Sequence, residues 1–338
     1  MAKIDVLLEL MVQYEASDLH ISAGTPPLLR IDGVLQRIKY HDLSPKETEV
    51  LLLEMLDEDQ VELLQERKDI DFAYNLGEKA RFRANIFIEN GGYAGAFRMI
   101  PTKLKSIREL NLPDAVQTLA RIKSGLVIVT GPTGSGKSTT LAAMIDLINK
   151  EKNYHIITLE DPIEFIYPKE KCLIHQRQIG FHANDFSSGL KACLREDPDV
   201  ILVGEMRDLE TIHLALTAAE TGLLVLATLH TSSAPKTVDR IVDVFPTYQQ
   251  PQVRTMLSES LKGVIAQRLY RKADGHGRVA AVEIMICTPA IQNLIREGKT
   301  YQIYSVIQTG TNIGMQTMDS HIKKMVQQGI LSASDMEG

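Results

Sequence analysis

The chain of 338 residues has no tryptophan, only 5% aromatic residues and no excess of positive charge. Its 37 basic residues against 43 acidic ones give a net charge of −6 at pH 7. Motors that move along nucleic acid need a basic channel and aromatic side chains on which the bases stack. A motor of that kind is therefore disfavoured, and we expect no nucleic-acid partner.

Cysteine is also scarce, with only Cys172, Cys193 and Cys287 in the whole chain. They are odd in number, widely separated and contain no CxxC pair, so they fit neither a disulfide framework nor a zinc site. We expect all three to be buried free thiols in a reducing cytosol.

Long apolar runs are absent as well. The stretch LLVLATL at 223–229 is among the longest and is far too short to cross a bilayer. At the start of the chain, acidic residues interrupt the apolar positions, and no small-residue cleavage site follows. We expect a cytoplasmic protein without a signal peptide, which would reach a membrane only through a partner.

The length and an apolar content of 44% fit two domains. We predict an α+β domain over residues 1–100, a linker over 101–112 and a second domain over 113–338. In the first domain, apolar spacing predicts a helix over 4–14. A second helix should begin at SPKE, where Ser44 is the N-cap and Glu47 completes a capping box, and should run through Leu56.

A β-hairpin follows in the first domain. DIDFAY and ARFRANIFI alternate with period two, and ENGG at 89–92 turns the chain into YAGAFRMI. One face of the strand should carry Phe82, Ala84, Ile86 and Ile88. Arg81 and Arg83 should project together from the other face. This face is either an ordinary solvated surface or a functional one that presents two guanidinium groups.

The second domain alternates short apolar strands with helical patterns, which predicts an α/β fold with a mainly parallel sheet. The predicted strands are GLVIVTG, HIITLE, DVILVG and LLVLATLH. A helix between the last two should have apolar residues along one side and can stop at Gly222. That side should carry Leu209, Ile212, Leu216 and Ala219.

GPTGSGKST lies between a predicted strand and a predicted helix and matches the phosphate-binding pattern GxxxxGK[ST]. Backbone N–H groups of such a loop surround phosphate oxygens, while Lys137 would contact the β- and γ-phosphates and Ser138 would ligate Mg²⁺. The predicted nucleotide-binding residues are Gly131, Thr133, Gly134, Ser135, Gly136, Lys137, Ser138 and Thr139.

Three further strand ends supply polar residues, and parallel strands bring such ends to one edge of a sheet. Glu160 and Asp161 follow HIITL, Glu205 follows DVILVG, and His230 follows LLVLATL. We predict Glu205 as the general base, with Glu160 as its rival, and Asp161 as an outer-shell metal residue. Gly204 should leave room for the longer glutamate side chain, and His230 is the candidate sensor of the γ-phosphate.

Four blocks therefore follow one another: GPTGSGKST, ITLEDPIEF, REDPDVILVGEMRDLET and ATLHTSSA. In order and spacing they resemble the secretion ATPase superfamily, the motors of type IV pilus and type II secretion systems. That superfamily carries a Walker A loop, an Asp box, a Walker B motif ending in Gly-Glu, and a His box. ASDLHISAG and AIQNLIRE, at 290–297, resemble segments of its PilT-type retraction ATPases. The second segment usually reads AIRNLIRE, and here position 292 is Gln instead of Arg.

The resemblance implies a PAS-like domain joined to a RecA-like domain, a homohexameric ring, and ATP bound between the two domains. It also implies that Arg81, Arg83 and Arg98 reach the nucleotide. Domain rotation would then drive an inner-membrane platform protein at the pilus base, so that pilin is moved only indirectly. The motor would be cytoplasmic and peripherally associated with the inner membrane.

Alternatives remain within and outside this superfamily. A pilus-assembly or type II secretion ATPase generally has a longer N-terminal extension and a four-cysteine zinc segment, neither of which this sequence has. A PilU-like auxiliary motor is a second alternative. A ring that binds nucleotide without turnover is a third, but it would have no need of the carboxylates Glu160 and Glu205.

Overall fold

A computed structural model describes residues 3–31, 33–77, 79–100, 104–275 and 277–336. The chain divides into two compact units. The first unit comprises Met1–Lys103 with Pro162–Ile166, and the second comprises Leu104–Asp161 with Tyr167–Gly338. Positions 101–103 of the predicted linker lie outside the described residues, and the linker itself stays a prediction.

An antiparallel sheet with three helices forms the described part of the first unit. Its elements are α1 (Asp5–Gln13), β1 (Asp18–Ile21), β2 (Leu28–Ile31), β3 (Val34–Arg37), α2 (Pro45–Leu53), α3 (Glu58–Arg67), β4 (Asp69–Leu76), β5 (Ala80–Glu89) and β6 (Gly92–Ile100). The strand order is β3-β2-β1-β6-β5-β4. Leu8, Leu19, Phe82 and Phe97 are fully buried in the core of this unit.

The predicted capping box at the start of α2 is confirmed. The Ser44 side chain accepts a hydrogen bond from the Glu47 N–H, and the Glu47 carboxylate accepts one from the Ser44 N–H. The helix ends at Leu53 rather than at the predicted Leu56. The chain then turns, and Asp57 opens a second capping box, for α3, a helix that was not predicted from the sequence.

The predicted hairpin is confirmed as β5 and β6, with Glu89 paired to Gly92. Phe82 and Ile86 face the core, and Arg81 and Arg83 alternate with them on the other face of the strand. Ile88, which the strand alternation places on the same face, is 39% exposed next to the turn.

The second unit contains the parallel sheet. Its described helices and strands are α4 (Asp114–Ala120), β7 (Gly125–Thr130), α5 (Lys137–Glu151), β8 (His155–Glu160), β9 (Leu173–Gln178), α6 (Phe186–Cys193), β10 (Val200–Val203), α7 (Leu209–Glu220), β11 (Leu224–Leu229), α8 (Ala234–Asp243), α9 (Gln250–Ser260), β12 (Leu261–Arg271), β13 (Arg278–Ile286), α10 (Pro289–Arg296), α11 (Ile303–Thr309) and α12 (Met318–Gln327).

The strand order of this sheet is β13-β12-β7-β11-β10-β8-β9, and only the β12–β13 pair is antiparallel. The α/β prediction is therefore confirmed, including the four strands β7, β8, β10 and β11. Sequence analysis missed β9, β12 and β13. Because β7, β11, β10 and β8 are parallel neighbours, their carboxyl ends lie along one edge of the sheet.

Helix α7 follows β10 and begins after Asp208, whose side chain accepts a hydrogen bond from the Thr211 N–H. Ile212 and Leu216 are buried as predicted. Leu209, predicted on the same side of the helix, is 37% exposed. It is the first residue of the helix, where the chain enters from the surface.

The three cysteines are free, but only Cys193 is fully buried, whereas Cys172 and Cys287 are partly exposed. The prediction of burial was therefore wrong for two of the three. Burial nevertheless raises the pKa of the Cys193 thiol to about 11 and that of Cys287 to about 12. Within the described ranges, no helix combines the length and apolarity needed to span a bilayer.

A buried histidine makes the stability of this unit depend on pH. His321, on α12, is 6% exposed, and its Nδ1 accepts a hydrogen bond from the Val282 N–H (2.9 Å). Burial lowers its pKa from 6.5 to about 4. The unfolded chain takes up a proton below pH 6.5 while the folded chain does not, so we expect the free energy of unfolding to fall by about 2 kcal/mol between pH 7 and 5.

The matched variant is His321→Asn, because its amide oxygen corresponds in position to Nδ1, can accept the same N–H and does not titrate. Urea unfolding of both proteins at a series of pH values measures the contribution. The variant should lose this part of the acid sensitivity, and equal pH slopes for the two proteins would contradict the assignment.

Candidate functional site

The predicted phosphate loop connects β7 to α5. Gly131 and Gly136 have φ angles of 144° and 87°, in the region that favours glycine. Gly136 immediately precedes α5. Because glycine has no side chain, this residue cannot cap the first N–H groups of the helix, and they remain suited to binding an anion.

The residues of this loop fit a phosphate group. Ser135 is only 3% exposed, and its hydroxyl has no hydrogen-bond partner among the described residues. Lys137 is also buried, and its Nζ donates to the carbonyl oxygens of Gly131 (2.9 Å) and Pro132 (3.1 Å). A buried hydroxyl and a buried ammonium at a helix N-terminus are groups that phosphate oxygens would satisfy. Of the other predicted loop residues, Thr133, Gly134 and Ser138 are exposed and Thr139 is half-buried.

Glu160 is the last residue of β8 and lies at the predicted edge of the sheet. Its Oε1 accepts hydrogen bonds from Thr158 Oγ1 (2.6 Å) and Gln176 Nε2 (3.2 Å). Both of these donors are neutral. Asp161, which follows it, is exposed at the same strand end.

The structure brings Glu205 and His230 together. His230 Nε2 lies 3.3 Å from Glu205 Oε1, and Arg207 Nη2 donates to Glu205 Oε2 at 2.7 Å. Burial opposes ionisation of Glu205, but the bond from Arg207 and the nearby His230 outweigh it, so the pKa of this carboxyl is lowered. The predicted base is therefore a carboxylate at neutral pH.

Gly204 lies close to the end of the neighbouring strand β8. Its N–H donates to the carbonyl oxygen of Leu159 (2.8 Å). A Cβ at position 204 would lie 3.0 Å from that same oxygen. The close approach of the two strand ends, β8 and β10, therefore favours glycine immediately before Glu205.

Three polar residues of this region escaped the sequence analysis. Arg207 donates a hydrogen bond to Glu205, which raises the pKa of the Arg207 guanidinium. The negative charge of Asp161 contributes to the same shift. Thr130, buried at the end of β7, accepts the Thr231 N–H (2.9 Å) and so ties the phosphate loop to the segment after His230. Gln267 bonds to the loop from β12. Two of these residues could have been found from the sequence. Arg207 is a cation two residues after Glu205, and Gln267 is the single uncharged polar residue within VIAQRL.

The arginines predicted from the resemblance belong to the first unit. Arg83 and Arg98 are directly opposite each other on β5 and β6. Arg98 Nε donates to Asp18 Oδ1 (2.9 Å), and Arg83 Nε lies 3.5 Å from Asp71 Oδ1. The two carboxylates offset the repulsion between the facing cations. Arg81 Nη2 donates to the carbonyl oxygen of Ile163 (3.2 Å), within the same unit.

Comparison with known proteins agrees with this arrangement of motifs. Residues 2–276 match the family model described as "Type II/IV secretion system protein". The type IV pilus retraction ATPase PilT of Pseudomonas aeruginosa is 52% identical, over 97% of this chain and 95% of its own. A twitching motility protein of Neisseria gonorrhoeae is 50% identical over 95% and 86%, respectively. A crystal structure of the pilus retraction motor PilT with bound ADP superimposes with a TM-score of 0.91 at 47% identity, over 99% of this chain and 96% of that one. The chain therefore belongs to the type II/IV secretion system protein family.

Proposed function

We propose that this protein is an ATP-hydrolysing motor that powers the retraction of type IV pili. The observation that carries the proposal is the similarity to PilT along nearly the whole of both chains. The phosphate loop, Glu160, Glu205 and His230 lie at the carboxyl ends of four neighbouring parallel strands, which is where α/β sheets bind their ligands.

The loop Gly131–Thr139 binds ATP. Its N–H groups and the Ser135 hydroxyl contact phosphate oxygens, and Lys137 exchanges its two carbonyl partners for the β- and γ-phosphates. Ser138 and Asp161 would hold Mg²⁺, the first directly and the second through the outer shell. When bound, Mg²⁺ would offset the negative charge of the phosphates.

Glu205 is the proposed general base for the attacking water. Glu205 is ionised, and it lies at the edge of the sheet where the phosphate loop also lies. Arg207 contacts its Oε2, and His230 contacts its Oε1. In this arrangement His230 senses the γ-phosphate and transmits its presence to Glu205. Glu160, held by two neutral donors, positions the water or the metal shell and is the rival base.

Arg81, Arg83 and Arg98 are proposed to stabilise the charge that develops on the transferred phosphoryl group. Since three guanidinium groups share this task, Arg83→Ala should lower kcat by about tenfold. Asp71→Ala is the matched control, because it removes the same exposed ion pair and leaves the arginine in place. Equal losses in the two variants would mean that Arg83 serves only to pair with Asp71.

The motor is proposed to act as a homohexamer in the cytoplasm, at the inner-membrane base of the pilus. Its direct partner there is a membrane platform protein, and pilin is moved only indirectly. Helix α10, from the AIQNLIRE segment, buries Ile291 and Ile295, while Ala290 is exposed. Gln292 is partly exposed, so the charge that PilT-type proteins usually have there is absent from the surface.

Deleting this gene alone tests the direction of the motor. Cells with abundant surface pili and no twitching motility, restored by the wild-type gene, are the expected result. Cells without pili would instead identify a pilus-assembly ATPase. Unchanged pili and motility would indicate a PilU-like auxiliary motor or a secretion ATPase.

A further inference from the structure

A buried glutamine on β12 contacts the phosphate loop at several points. Gln267 is 2% exposed and follows Ala266, which pairs with Thr130 at the end of β7. It therefore lies beside the place where the chain leaves the sheet to form the loop. An uncharged polar side chain at so buried a position needs hydrogen bonds to offset its desolvation.

Both ends of the Gln267 amide have such bonds. Its Nε2 donates to the carbonyl oxygen of Ser135 (2.6 Å), and its Oε1 accepts from Thr140 Oγ1 (2.8 Å). Thr140 is in the first turn of α5 and is also buried. One side chain thus joins the phosphate loop, the helix that follows it and a strand that is 132 positions away from Ser135.

The bond to Ser135 determines how one peptide group is oriented. The Ser135 carbonyl and the Gly136 N–H belong to the same planar trans peptide and point in opposite directions. Because Gln267 holds the carbonyl, it directs the Gly136 N–H away from β12. A Cβ at position 136 would lie 2.9 Å from Gln267 Nε2, and the φ of 87° at this position also favours glycine. A Cβ at position 131 would collide with the main-chain carbonyl of Gln267.

We infer that Gln267 is a positioning residue of the nucleotide site, which holds the Ser135–Gly136 peptide so that the Gly136 N–H binds a phosphate oxygen. The inference rests on the proposed function of the loop in binding ATP. Gln267 itself does not touch the nucleotide. Its loss would let the peptide rotate and turn a carbonyl oxygen towards the phosphates, which would repel them.

Titration of the full-length protein with a fluorescent methylanthraniloyl derivative of ATP tests this role. Gln267→Met keeps the approximate size of the side chain and removes both bonds, so the dissociation constant should rise at least about tenfold. In ATPase assays, the KM for ATP should rise by more than kcat falls, because the substitution affects binding of the phosphates rather than the base.

Gln117→Met is the matched control. Gln117 is another buried glutamine, on α4, whose amide donates to Asp114 Oδ1 (3.0 Å) and accepts from Arg121 (3.4 Å). It should lower the melting temperature measured without nucleotide and leave the affinity for the probe unchanged. An equal loss of affinity in this variant would mean that any buried glutamine has the same effect, and would overturn the inference.

A second variant keeps the shape of the side chain and removes only one of the two bonds. Gln267→Glu keeps the shape and the acceptor for Thr140 but replaces the donor to Ser135 with a negative oxygen. We expect weaker probe binding in this variant also. Wild-type affinity in either Gln267 variant would overturn the inference, whereas a wild-type protein that does not bind the probe would instead overturn the proposed function.

Discussion

Lys137→Ala is expected to abolish ATP turnover, lowering kcat by at least ~1000-fold, and to weaken ATP binding. Lys137 is buried at the first position of α5, where its ammonium now contacts two loop carbonyls. Phosphoryl transfer depends mainly on positioning and on charge stabilisation, and this is the proposed cation nearest the β- and γ-phosphates. Alanine would keep the helix, because it has the highest helix propensity.

Lys150→Ala is the control for this variant. Lys150 is on the same helix, near its other end, and pairs with Asp146 (2.7 Å). This substitution changes the net charge by the same amount without touching the loop, so steady-state ATPase activity should be retained. Normal activity in Lys137→Ala would contradict the assignment of the whole loop to ATP binding.

Glu205→Gln should lower kcat at least ~100-fold while ATP stays bound. Glutamine keeps the size of the side chain and can still accept the hydrogen bond from Arg207, but it cannot take a proton from water. His230 and Arg207 together favour the charged form of Glu205, so the wild-type side chain is ready to act as a base at neutral pH. Single-turnover hydrolysis with saturating ATP measures the chemical step separately from binding.

Glu160→Gln is the comparison that decides between the two carboxylates. If Glu205 is the base, Glu160→Gln should retain more of the single-turnover rate, because its contacts with Thr158 and Gln176 concern orientation. A large loss in Glu160→Gln together with near-normal hydrolysis in Glu205→Gln would reverse the two roles.

The sequence predicted well those features that depend on neighbouring residues. The capping box at Ser44, the β5–β6 hairpin, the buried strands and the phosphate loop each arise from a pattern within about ten residues, the range over which helix and strand periodicity acts. The errors lay at the boundaries. Helix α2 ended at Leu53 rather than at Leu56, before Asp57 starts a new cap.

Whole elements were missed where the local pattern was ambiguous. Strand β9, LIHQRQ, is mostly polar and lies at the edge of the sheet. Strands β12 and β13 contain short apolar runs, GVIA and VAAV, and the turn signal Asp274-Gly275 between them went unrecognised. Short apolar runs of this kind fit a buried helix or a strand equally well until their neighbours are known. Missing β12 also meant missing Gln267.

By itself, the sequence determined the fold class, the phosphate loop and the polar residue that ends each central strand, because these depend on local periodicity and on residue chemistry. Only the tertiary structure decided which of those residues meet. The strand order places β11 beside β10, which brings His230 to Glu205, and places β12 beside β7, which brings Gln267 to Ser135. Strand order and register are set by packing of the whole sheet and its helices, so contacts between residues far apart in the chain cannot be derived from any local stretch of it.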